Sequence, residues 1–136
     1  DKKHLLFELV EIALKGPELQ LPNGFFFLDK EKNERREVRK KWWDSKAVSW
    51  RDIAISVPDH RLLPSKNLPD DVRTSSYPED APPVFFGHYW MKGDPQMQAK
   101  NALCLDYSAG HGGPVVSYFA EPGRKILSLD NLRVHN

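Results

Sequence analysis

The stretch 57–83 constrains this chain more than any other, because Pro58, Pro64, Pro69, Pro78, Pro82 and Pro83 all fall inside it. Each proline ring fixes φ, removes a backbone N–H and turns the preceding residue away from helical geometry. No helix or strand of ordinary length can run through, so the stretch reads as a long Pro-rich connector without sustained period. Connectors of that length inside one domain are usually functional or mobile. The fold must be assembled from what lies on either side. At 136 residues the chain suffices for a single domain, 1–136, with one modest core.

Before the connector the pattern is helix, turn and hairpin. Leu5, Leu6, Leu9, Ile12 and Ala13 recur at helical spacing, and Gly16-Pro17 stops the run. The chain opens without methionine and enters that helix almost at once, which fits simple processing of a domain that begins with a helix and fits equally the tail of a longer protein. In 16–56, Pro22-Asn23-Gly24 supplies turn chemistry. "FFFLD" and "RREVRKKWW" flank the polar turn "KEKNE" as the arms of a hairpin. Arg36, Val38, Lys40 and Trp42 alternate with Arg35, Glu37, Arg39 and Lys41. Only one face carries apolar residues, which places the hairpin at the periphery. "DSKAVSWRDIAIS" predicts a short helix capped by Asp44 or Ser45, with Ala47, Trp50, Ile53 and Ala54 as its buried stripe.

After the connector, 84–130 is β-rich. "VFFGHYW", "ALCLDYS", "PVVSYFA" and "KILSLDN" are short apolar runs, and the turns "SAGHGG" and "EPGR" separate the last three. That is the pattern of an antiparallel meander. The expected fold class is α+β, an antiparallel β meander with two helices.

Charge and cysteine content narrow the function. A net charge of +1 gives no global pull toward nucleic acid or anionic lipid. The single cysteine, Cys104, excludes an internal disulfide and any zinc site built from several thiolates. It lies in an apolar run and reads as a buried strand thiol, which suits a cytoplasmic protein. No segment is long and apolar enough to span a membrane. Arg35, Arg36, Arg39, Lys40 and Lys41 beside Trp42-Trp43 could hold single-stranded nucleic acid by charge and stacking. Glu31, Glu34 and Glu37 are interleaved with them, which favours a solvated hairpin instead.

Gly87-His88 stands where the first apolar run of the β-rich part gives out. The plain reading is a histidine closing a strand end. The sharper reading is a metal ligand. A glycine without Cβ lets the backbone approach closely, and imidazole suits a borderline transition metal. His111 sits among glycines at an expected hairpin tip. His4, His60 and His135 have no partner at ligand spacing and read as surface residues.

The spacing onward from His88 sharpens the choice. "VFFGHYW…NALCLDYSAGHGGPVVSYF" resembles the C-terminal end of the calcineurin-like metallophosphoesterases, specifically their bacterial protein-phosphatase and diadenosine-tetraphosphatase branch. Those chains carry a late Gly-His after an apolar strand, a buried strand like Cys104 to Ser108, and a Gly-Gly turn like Gly112-Gly113. "LKGPELQLPNG…DKEKNERREVRKKWWD" is similar to an insertion of the same branch. The resemblance implies that the chain is one half of a two-sheet α/β sandwich. It implies that His88 binds one of two divalent metals (Mn favoured; Fe, Zn and Co also accepted) with Gly87 and Asp106 beside the centre. Two such ions, roughly 3.5–4 Å apart, polarise a phosphoryl group and supply hydroxide for in-line attack. The insertion would help to hold a phosphorylated substrate through Arg36, Arg39, Trp42 and Trp43. That substrate would be a phosphoprotein, a dinucleoside polyphosphate or a small phosphoester.

The family's Asp-x-His, Gly-Asp-x-x-Asp and Gly-Asn-His-Glu motifs are absent from these residues. The expectation is therefore a C-terminal portion that supplies one ligand, holds no metal stably and is inactive alone. It would pack against its own N-terminal half or self-associate through an exposed sheet. The rival expectation is a non-catalytic binding module whose contact surface is the basic, Trp-rich hairpin.

Overall fold

Helical spacing and a glycine stop set the first element, α1 (Leu5–Lys15). His4 caps it by accepting the Leu6 N–H through Nδ1 at 3.2 Å. Gly16, at φ 80°, ends it and donates to the Ile12 carbonyl. The expected apolar stripe is formed but not covered: Leu5, Leu6, Leu9 and Ile12 are all exposed. The protein is described here by a computed structural model covering residues 4–135. It divides into two compact units, 1–76 and 77–136. The division falls inside the segment read as a connector within one domain.

In the first unit β1 (Glu18–Gln20) pairs antiparallel with β4 (Glu37–Lys40), whose other edge pairs antiparallel with β5 (Ala54–Ile55). The expected hairpin is β2 (Phe27–Leu28) with β3 (Glu34–Arg35). It is only two residues deep, so "RREVRKKWW" is not one arm. The chain leaves β3 at Arg36, whose carbonyl accepts the Leu21 N–H at 2.7 Å, and β4 then joins β1. Burial decides the switch, since Val38 and Lys40 point inward at 0% and 3% exposure. The buried Lys40 ammonium donates to the Val72 carbonyl and to the Ser75 carbonyl and hydroxyl, at 3.1, 2.7 and 2.6 Å. Burial pushes its pKa below the usual lysine value.

The helix predicted from Asp44 or Ser45 is a single turn, α2 (Trp50–Ile53), and its cap is Ser49. Ser49 and Asp52 form a reciprocal capping box, which outcompetes the earlier candidates because it satisfies two backbone donors at once. Ala47, Trp50, Ile53 and Ala54 are buried as expected. They form one core with Leu21, Phe27, Val38, Val57, Leu63 and Leu68.

The last three of those lie in the supposed connector, which is not structureless. It holds a 3-10 turn at His60–Leu62 and a third helix, α3 (Asp70–Thr74), where two were expected. Pro69 stands at the cap of α3, a position where its missing N–H costs no helical hydrogen bond.

The second unit departs furthest from expectation. β6 (Val84–Phe86) and β7 (Ala102–Cys104) are parallel, and β8 (Val115–Tyr118) pairs antiparallel with β9 (Leu132–His135). There is no four-strand meander over 84–130 among the described residues. The segment 87–101 is long enough for a crossover, which parallel strands require. Asn101 anchors its return: its side-chain amide donates to the Pro78 and Ala81 carbonyls at 2.8 and 3.0 Å. "KILSLDN" is not a strand. Its Leu127 N–H goes to the Lys100 carbonyl, and Ser128 caps a 3-10 turn at Leu129–Asn131. The result is a mixed α+β chain of small, mostly antiparallel sheets and three described helices, one long. No described helix is long and apolar enough to cross a membrane.

Candidate functional site

Because β6 and β7 run parallel, their carboxyl ends lie side by side. Gly87-His88 leaves the first and Asp106 leaves the second. The ladder continues one step past the strands, with Leu105 N–H donating to the Phe86 carbonyl at 2.9 Å. A Cβ added to Gly87 would meet the Asp106 Cβ at 3.4 Å. The glycine therefore allows close approach, and its neighbour is Asp106.

Asp106 ties the two loops together. Its carboxylate accepts the Trp90 N–H at 3.3 Å and the Ser108 N–H at 3.1 Å, and its backbone carbonyl accepts the Met91 N–H at 2.9 Å. Ser108 returns a bond from its hydroxyl to the Met91 carbonyl at 3.2 Å. Three residues of this region hold left-handed backbone without being glycine: His88 at φ 71°, Trp90 at 49° and Ser108 at 63°. Such conformations cost about 1–3 kcal/mol each and persist only where the surroundings over-determine them.

The strained corner sorts its aromatics. Tyr89 is buried, with its ring edge-on to Phe86 at 5.4 Å, while His88 and Trp90 are exposed. The Trp90 ring lies 5.2 Å from the imidazole of His111. His111 ends a 3-10 turn, Ala109–His111, rather than tipping a hairpin. Gly113 is needed here, because a Cβ would come within 1.9 Å of the Tyr107 carbonyl oxygen. Cys104 is wholly buried, and burial pushes its thiol pKa up to about 11.

The structure thus brings Gly87, His88 and Asp106 to one corner. Among the described residues no group of three or more histidines, cysteines, aspartates or glutamates could hold a metal ion. The remaining histidines have other duties. His4 caps α1, His60 Nδ1 lies 2.9 Å from the Arg51 carbonyl, and His135 Nε2 lies 2.9 Å from the Ser117 hydroxyl.

The expected substrate contacts all lie in the first unit. Arg36 and Arg39 line a cavity of about 470 Å³ on the open face of the β1–β4–β5 sheet. Both are engaged by acids, Arg36 with Glu34 at 2.7 Å and Arg39 with Glu18 at 3.5 Å. Arg36 also stands 6.0 Å from the centre of the Phe26 ring. Trp42 and Trp43 meet edge to face at 5.2 Å, with Trp43 buried.

Sequence reasoning missed the tie through Ser108 and the pairing of Trp90 with His111. The first had a signal, because Asp-x-Ser is the spacing of an Asx turn. The second had none, since it depends on the parallel pairing. Searches of protein-family models, curated proteins and solved structures found no match to this chain.

Proposed function

We propose that this chain is part of a metal-dependent phosphoesterase of the calcineurin-like type, with His88 as one ligand of a two-metal centre. The observation that carries the reading is the corner itself. An exposed histidine in left-handed backbone sits just past the carboxyl end of a parallel strand, in a loop tied at the Trp90 N–H to the Asp106 carboxylate that follows the next strand. The described residues hold no group of three or more candidate ligands, so on this reading the other ligands lie outside them. The exposed apolar residues of α1, with Phe85, Val115 and Phe119, favour cover by the rest of such an enzyme or by a second copy. The substrate class is a phosphoprotein, dinucleoside polyphosphate or small phosphoester, and Mn²⁺ is the favoured ion.

The test is the longest reading frame containing these residues, assayed on p-nitrophenyl phosphate with Mn²⁺. His88→Ala is expected to lower turnover at least about 100-fold and to reduce bound metal. The 136-residue chain alone is expected to show none. Turnover unaffected by His88→Ala would overturn the assignment.

A second reading has its own observation in the charged cavity of the first unit, which could serve a non-catalytic binding module. The acids already paired with its arginines favour it less. Tight binding of a ligand that fails with Arg39→Ala, in a protein without hydrolytic activity, would select it.

A further inference from the structure

We propose that Trp90 and His111 form an aromatic shelf beside His88 that takes the planar ring of a phosphate-bearing ligand. The inference deepens the phosphoesterase reading by naming the kind of group attached to the phosphate.

Trp90 is 50% exposed, although its indole is among the most apolar surfaces a chain can carry. Its backbone sits at φ 49°, where glycine or asparagine would rest with less strain. The conformation buries Tyr89 and keeps Trp90 outward. The Asp106 carboxylate fixes it by accepting the Trp90 N–H. What the strain secures is a half-exposed indole two residues after His88.

His111 comes from the other loop and completes the shelf at a 5.2 Å centroid distance and a 55° tilt. The two rings are tilted rather than stacked flat, and Trp90 stays half-exposed beside His111. The Ser108 hydroxyl on the Met91 carbonyl holds the loops in register. Rings of this type bind planar partners by stacking, whatever the ring's edge chemistry. A nucleobase and an aryl ester share that chemistry.

The experiment is an NMR titration of the 136-residue chain with phenyl phosphate, AMP and glycerol phosphate, read at the His111 imidazole and the amides of Trp90 and Met91. Both aromatic phosphates are expected to bind about tenfold more tightly than glycerol phosphate. A response to AMP alone assigns the shelf to nucleobases, and a response to phenyl phosphate alone assigns it to aryl esters. Trp90→Leu should abolish the preference and Trp90→Phe should keep it, while the buried amides of Leu103 and Cys104 stay unshifted. Should Trp90→Leu fail to fold, His111→Ala, read at the Trp90 indole, should weaken the same response. Equal binding of all three probes, or a preference that survives Trp90→Leu and His111→Ala, would overturn the proposal. The readout needs neither metal nor turnover, so an inactive full-length protein would count against the phosphoesterase reading and leave the shelf standing.

Discussion

The two units differ most in how much apolar core they bury. The first gathers Leu21, Phe27, Val38, Ile53, Leu63 and others into one apolar cluster, and charged pairs decorate its surface. The second buries fewer large apolar side chains and pins its loops with polar ones. Gln98 accepts the Cys104 N–H at 2.6 Å, the Tyr107 hydroxyl accepts the Gln96 N–H at 2.9 Å, and the Tyr118 hydroxyl accepts the Ser128 N–H at 3.0 Å. Apolar packing is non-directional and tolerates drift, whereas hydrogen bonds fix geometry. The strained cluster of His88, Trp90 and Ser108 belongs to the unit with the smaller apolar core, where side-chain hydrogen bonds fix the loops that carry it.

The largest expected effect breaks the apolar side of this contrast. Ile53 is 1% exposed, and Ile53→Ala should cost about 2–5 kcal/mol. Urea unfolding followed through tryptophan emission checks it; Trp42, Trp43 and Trp50 all lie in the first unit. A loss under about 1 kcal/mol would mean that the cluster does not carry the first unit's stability.

The polar side breaks differently. Gly113→Ala places a methyl against the Tyr107 carbonyl and should cost about 1–3 kcal/mol while displacing the 108–113 loop. Cys104 reports on it. Its thiol is buried with a pKa of about 11, so labelling by a thiol reagent near neutral pH requires opening of the second unit. Faster labelling in Gly113→Ala is the expected result. An unchanged rate would show that the loop does not brace β7.

The same contrast explains what could be read from sequence. α1 was legible because periodicity and Gly16 act locally, and the buried stripe Ala47, Trp50, Ile53 and Ala54 followed from spacing alone. The residues of β6 and β7 were legible as apolar runs, but their parallel direction was not. An apolar run has no arrow, and the short turns after β7 favoured an antiparallel guess for the whole segment, although 87–101 is long enough for a crossover. Leu63 and Leu68 were hidden among prolines that read as pure connector. α3 did leave a signal in "PDDVRT", with acids in the first turn and arginine in the last, complementary to the helix dipole. At the site, His88 and Asp106 were each visible, while the hydrogen bonds joining their loops required the strands to be placed first.

The smallest prediction sharpens the first unit's local order. Hydrogen bonds from the Ser49 side chain and backbone, in that order, hold the Asp52 carboxyl below its usual value of 3.8, and Val48 N–H and Lys41 add to them. With its folded pKa depressed, Asp52 contributes fully above pH 3.8 and loses that contribution as pH falls through the lower folded value. Asp52→Ala should cost about 1 kcal/mol at neutral pH and nothing once both states are protonated. Denaturation of wild type and variant across acid pH checks this. A difference that persists at the lowest pH would assign the effect to helix propensity instead.

The nesting of β2 and β3 between β1 and β4 sets an order of assembly. The inner hairpin closes over residues 29–33, whereas β1 must find β4 across residues 21–36. Closing the inner loop first shortens the free chain the outer pair must close, and loop entropy grows with that length. β5 can add only once β4 offers its second edge. Loop length alone therefore favours an order from the inside outward, with the arginine-lined cavity complete only when β5 has added.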